Sequence, residues 1–173
     1  TINSGVSYYP IIASNVKLKS LTITSNANVS MTGGTLTIDD LICTGNSKFT
    51  ASGGTVAFGN TANGSWNAKS SFYNVTIDSG KTLTANADMY VSGAWTNNGT
   101  FTPGTNTVTF TGSGAAIAAG GTSFYNLAVN SSGTVTATTA VSASANLAVT
   151  AGTLSTGSNA LTVTGATTNA GTI

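Results

Sequence analysis

The four acids of this chain are Asp39, Asp40, Asp78 and Asp88, and five lysines complete its charged side chains. Acid–base work on sugars needs two carboxylates, or a carboxylate and a base, converging on one bond. Only Asp39 and Asp40 are adjacent. Consecutive residues of a strand point to opposite sides of a sheet, so this pair converges only if it lies in a turn. TIDDLI (37–42) aligns with YVSGAW (90–95), which sets the acids against a stretch of turn character. A turn role is therefore favoured over catalysis. Asp78 falls opposite Asn130 and Asp88 opposite Ala140 when the chain is laid on itself at an offset of 52 residues, so no acid recurs. A calcium site needs several converging oxygens, which only Asp39 and Asp40 could seed. With no His, zinc and haem lack ligands and a nucleophilic Ser lacks its usual base. No catalytic, cofactor-binding or metal-binding residue is assigned, and the sequence predicts a protein that is not an enzyme.

One cysteine and four aromatic side chains could also do chemistry. Cys43 is the single cysteine and sits in the apolar run LIC, where it reads as a small buried hydrophobe and not as a reactive thiol. Trp66, Tyr73, Trp95 and Tyr125 could stack on sugar rings, but Phe72 and Phe124 recur beside two of them and read as core positions. Only Trp66, in a Gly/Asn-rich loop, is expected to be exposed, which makes it the candidate sugar contact. Five N-x-S/T sequons, at Asn28, Asn63, Asn74, Asn98 and Asn130, are about what so much Ser and Thr produces by chance.

These residues must be positioned by elements that repeat. SSFYNVTIDSGKTLTA (70–85) returns as TSFYNLAVNSSGTVTA (122–137), and TVAF (55–58) returns as TVTF (107–110) at the same offset. LKSLTIT (18–24) is a weaker third copy, and VTGATTNAGTI (163–173) matches VSGAWTNNGTF (91–101). Repetition at a fixed period means that one unit buries its apolar face only against its neighbours.

Between the repeats the pattern is strand, turn, strand. LTIT, TLTI, LICT and KFTA alternate apolar with small polar residues, and SNAN, TGG, GNS and SGG end them. GNTANGSWNAKSS (59–71) is the longest interval without strand character. Of the 173 residues 40% are hydrophobic and 5% charged, against about 25% charged in ordinary soluble domains. The Thr, Ser, Asn and Gly remainder suits pleated surfaces and tight turns, so helix should be nearly absent. Two all-β architectures fit: a parallel β-solenoid of about three related units, or an antiparallel sandwich or jelly roll. The repeats favour the solenoid, because a sandwich does not require one unit to resemble the next. A coil of roughly 17–26 residues would make the 52-residue unit two or three coils.

SFYNLAVNSSGTVTAT and LAVTAGTLSTGSNALTVTG give residues 17–173 a texture that resembles repeat-rich secreted β-solenoid proteins of bacterial surfaces, the filamentous-haemagglutinin-like adhesins and matrix proteins. The resemblance implies an exported structural or adhesive role and supplies no catalytic residue.

Charge excludes other classes. A net charge of +1 offers no field for nucleic acid or an anionic membrane, and no apolar run approaches the roughly 20 residues of a membrane helix. The absence of an initiator Met leads to the expectation of a removed leader and a secreted, extracellular or cell-surface location. Residues 1–16 read as an N-terminal extension of a single repetitive domain, 17–173. VSYYPII (6–12) is strongly apolar, and Pro10 restricts it to an edge or an arm. It is expected to act as a strand donated to the open edge of another copy, giving an interface of Val6, Tyr8, Tyr9, Ile11 and Ile12 with Val163 and Ile173. The expected function is a structural subunit of an extracellular filament or matrix fibre assembling head to tail, with copies of itself as partners. The alternative is a stalk or binding segment of a larger surface adhesin, with carbohydrate or another cell surface as partner.

Overall fold

The structure, a computed structural model, describes residues 1–2, 9–59, 61–66 and 70–173, with 61–65 described in backbone only. Its strands pair in parallel and wind into a β-solenoid of about eight turns, with no helix among the described residues. Paired residues lie about twenty apart in sequence: Leu21 sits under Leu41, Val75 under Trp95 and Leu127 under Leu147. The solenoid expected from the repeats is the architecture found.

Each coil has three faces. The first face runs through Asn28–Met31, Lys48–Ala51, Ser71–Phe72, Met89–Val91 and Thr107–Phe110. The second includes residues 35–38, Thr55–Phe58, Asn74–Ile77, Trp95–Asn97 and Ala116–Ala118. The third includes residues 20–23 and 40–43, Thr61–Ser65, Thr82–Ala85 and Thr100–Thr102. In most strands whose side chains are described, alternate side chains point inward and meet the same position one rung away. Phe72, Val91, Phe110, Val129 and Val149 form one such column, and Leu36, Val56, Val75, Trp95, Ile117 and Ala137 another. Their burial removes most of the apolar surface from water at about 25 cal/mol per Å2. Every buried side-chain nitrogen or oxygen among the described residues has a hydrogen-bond partner.

The 52-residue repeat is not a whole number of coils. Phe72 ends a strand of the first face, whereas Phe124 bridges to Ala143 on the third. Val75 lies on the second face and its counterpart Leu127 on the first. Each copy is displaced by one face, so the repeat spans two coils and two faces of a third. The match between 91–101 and 163–173 carries the same displacement, since Val91 lies on the first face and Val163 on the third. What repeats is a face with its corner. In Phe-Tyr-Asn the Phe closes a strand inward, the Tyr turns the corner outward and the Asn opens the next face. Asn74 Oδ1 accepts the Ala94 N–H at 2.7 Å, and Asn126 Oδ1 accepts the Asn146 N–H at 3.3 Å, each one rung away.

Two local expectations change, and one face is broken. Thr61–Ser65 is a strand inside the interval expected to lack one, because ladders on both sides, at 41–42 and at Thr82–Ala85, supply its partners. The described part of residues 1–16 is not set apart from the coils: Ile2 bridges to Ile23, and Ile11 and Ile12 pair with Ser30 and Met31. The third face is interrupted between Thr102 and Ser123, so Val141–Ala143 and Leu161–Val163 form a separate two-stranded ladder. Trp95, Phe101, Phe110 and Phe124 fill the space behind this break, with ring centroids 4.8–6.2 Å apart.

Candidate binding groove

Asp39 and Asp40 lie within the strand Thr35–Cys43, where the alternation of buried and half-buried residues is broken by two successive half-buried positions. That break is the corner between the second and third faces, and it turns both acids outward. The turn expected around them is not found: both acids fall inside a continuous strand, at its bend between two faces. Asp88 is structural: its Oδ1 accepts the Thr107 N–H at 2.8 Å, and its backbone carbonyl accepts the indole N–H of Trp66 at 2.8 Å.

Trp66 corrects the expectation of an exposed sugar contact. It is 3% exposed, packed edge-on against Phe72 at 5.2 Å and tilted against Phe58 at 6.3 Å. A large indole gains most by entering the core when its N–H finds an acceptor there, as it does on Asp88. Trp95 is also buried, so the four aromatics form no surface strip; Tyr73 alone of them is among the exposed large side chains. Cys43 is buried as expected. Burial pushes its thiol above the ordinary value, against the lowering effect of the Ser70 hydroxyl, which donates to Sγ at 3.7 Å, and of a backbone contact with Phe49.

Of the expected interface residues, Val6 and Tyr8 lie outside the described residues. Tyr9 and Ile11 are exposed, 39% and 66%, in the first coil, while Ile173 is 48% exposed in the last. Val163 is half-buried in the strand Leu161–Val163. Because Ile11 and Ile12 pair with their own chain, they form a rung and are not extended as a free arm.

The corner that carries Asp39 holds a feature the sequence did not announce. Lys17, Leu18, Lys19, Thr37, Asp39, Gly59 and Lys81 line a shallow groove of about 440 Å3. Beside it a second hollow of about 400 Å3, lined by Asn15, Val16, Lys17, Thr35 and Thr37, continues along the second face. The coil period makes the groove. Lys19, Asp39 and Gly59 are spaced by twenty residues and occupy the same corner on successive rungs. Lys81 follows one rung on, in a turn closed by its N–H on the Asp78 carbonyl at 3.0 Å. A Cβ on Gly59 would stand 3.2 Å from the Thr37 methyl, so glycine keeps the floor low. Lys17 and Lys19 are noticeable as a pair in sequence, but the third ammonium is visible only once the coil length is known.

Chemically the groove offers three ammonium groups as donors and one carboxylate as acceptor, spread over four rungs or about 14 Å at about 4.8 Å per rung. No group of three or more His, Cys, Asp or Glu residues able to hold a metal ion occurs among the described residues. Comparison with protein-family models, with curated proteins and with solved structures finds no match to this chain.

Proposed function

We propose that the chain is a structural subunit of an extracellular filament or matrix fibre in which copies stack coil on coil, head to tail. The observation that supports this reading is the stacking mode itself. On the first and second faces the early rungs meet through in-register parallel strands, and inward columns such as Leu36, Val56 and Val75 continue from coil to coil. A coil of another copy can be received at an end by the same backbone bonds that join coils within the chain. Head-to-tail contacts of this kind do not close and so extend indefinitely. Tyr9, Ile11 and Ile12 at one end and Val163 and Ile173 at the other are the side chains at such a junction. From Met89 to Ile173 the chain has no charged residue, so no like-charge repulsion opposes contact there.

Electron microscopy and sedimentation of the purified chain at micromolar concentration test the proposal. The expected result is filaments with an axial repeat of about 40 Å, about eight turns at about 4.8 Å each. Ile11→Lys, which puts a charge into the junction, should shorten or abolish them. Monodisperse single particles at all concentrations would overturn the reading. A second reading, a stalk or binding segment of a larger surface adhesin, is favoured by the lysine-lined groove and would then take its place.

A further inference from the structure

The chain has nine charged side chains in 173 residues, and four of them meet in one groove. They come from positions as distant as Lys17 and Lys81. We infer that this groove is a binding site for a linear acidic polysaccharide, one bearing carboxylate or sulfate groups on a hydroxyl-rich backbone.

The order of groups along the corner carries the inference. Lys17 and Lys19 stand on the first rung, Asp39 on the second, Gly59 on the third and Lys81 on the fourth. Cations at both ends and a carboxylate between them do not suit a nucleic acid, whose phosphates repeat without interruption and would meet Asp39 with like charge. They suit a chain whose acidic groups are separated by hydroxyls. The acids pair with the ammonium groups as charge-assisted hydrogen bonds, and sugar hydroxyls donate to the Asp39 carboxylate. Gly59 and the outward methyl of Thr37 leave a low floor between the charged ends, which a sugar ring can lie across. The exposed Leu18 side chain adds an apolar contact at one end. The groove runs along the solenoid axis, so an extended polymer need not bend to follow it. The site is lined from one chain and does not depend on polymerisation, so it stands under either reading of the function.

The test is calorimetric titration of the full chain at low salt with four probes of similar length: polyglucuronate, heparin fragments, neutral dextran and single-stranded DNA. Binding of polyglucuronate or heparin, with dextran and DNA at least tenfold weaker, is the expected result. Carboxylate and sulfate as the preferred acid are told apart by which of the first two binds tighter. The triple variant Lys17→Gln, Lys19→Gln, Lys81→Gln should lose at least tenfold in affinity, and the same three positions as Arg should retain it. Lys48→Gln, on the first face and outside the groove, should leave it unchanged; both glutamine variants should sediment as the parent does. If the triple variant fails to fold, Lys19→Gln, on an exposed side chain, should still weaken binding severalfold. Absence of binding to both acidic glycans, equal binding of dextran or DNA, or an equal loss in Lys48→Gln would overturn the inference.

Discussion

Up to Asp88 the solenoid carries every charge it has, and beyond Tyr125 it carries neither a charge nor an aromatic ring. The two regions share one backbone. Both wind three-faced coils with rungs about twenty residues apart, and both keep inward columns dry. They differ in what fills and what coats the coils. In the early coils Phe49, Phe58, Trp66 and Phe72 pack ring against ring, with centroids 5.2–6.3 Å apart. In the late coils Leu127, Val129, Val135, Ala137, Leu147 and Val149 do the same work with smaller volumes. Neither charge nor aromatic packing is thus required for the fold. The early coils hold the groove; the late coils present a neutral surface over an aliphatic core.

The largest expected difference between the regions lies in the core. Phe72→Ala removes a ring held between Phe49 and Trp66 and should destabilise by about 4 kcal/mol, since rigid aromatic neighbours cannot close the cavity. Leu147→Ala empties a smaller site whose column neighbours are Leu127 and the more exposed Thr167, and about 2 kcal/mol is expected. Urea unfolding followed separately by tryptophan fluorescence and by backbone dichroism checks both. Equal losses would mean that the late coils are as rigidly packed as the early ones.

Next in size is the asparagine ladder of the neutral region. Asn146 donates its backbone N–H and its side-chain amide to Asn126 Oδ1, at 3.3 and 3.1 Å, and its own Oδ1 accepts the Ala166 N–H at 3.0 Å. Asn146→Ala should cost about 1 kcal/mol, the ordinary net worth of exposed neutral hydrogen bonds. The same loss should be measured in 50 mM and in 1 M salt, because no charge lies in these coils to be screened. A loss that shrinks with salt would tie the ladder electrostatically to the charged half.

The strands, their alternation and the solenoid were legible because LTIT, TLTI and TVAF alternate with a period of two and the Phe-Tyr-Asn unit returns intact. The coil itself was hidden. Its length of about twenty residues does not divide 52, so identical sequence falls on different faces and the repeat reports a corner instead of a turn of the helix. For the same reason the groove was obscure: Lys19, Asp39 and Gly59 have nothing in common until they are counted off by rungs. Trp66 misled because Gly and Asn around it read as an exposed loop, whereas the ladders on either side drew Thr61–Ser65 into a strand and the indole into the core. Register with neighbouring rungs outweighs local propensity in a stack of this kind.

The smallest difference is one of pH. Cys43 belongs to the early coils, and burial raises its thiol above the ordinary value of 9.0, with the Ser70 hydroxyl opposing the shift. Well below pH 9 the thiol keeps its proton whether the chain is folded or unfolded, and it adds no pH dependence. Above that value the unfolded chain loses the proton first, so the unfolded state is favoured and stability falls as pH rises towards the folded value. The slope from this one group is at most about 1.4 kcal/mol per pH unit. Tyr and Lys titrate in the same range, so the quantity to measure is the stability of the parent minus that of Cys43→Ala, from pH 7 to pH 10.5. That difference should be flat to about pH 8 and then decline. The matching difference for Val149→Ala, among coils with no titratable side chain, should stay flat throughout. A flat line for both would mean that Cys43 meets the same surroundings in the folded and unfolded chain. It would also remove a pH response as a distinction between the two cores, leaving ring-against-ring packing in the early coils against aliphatic packing in the late ones.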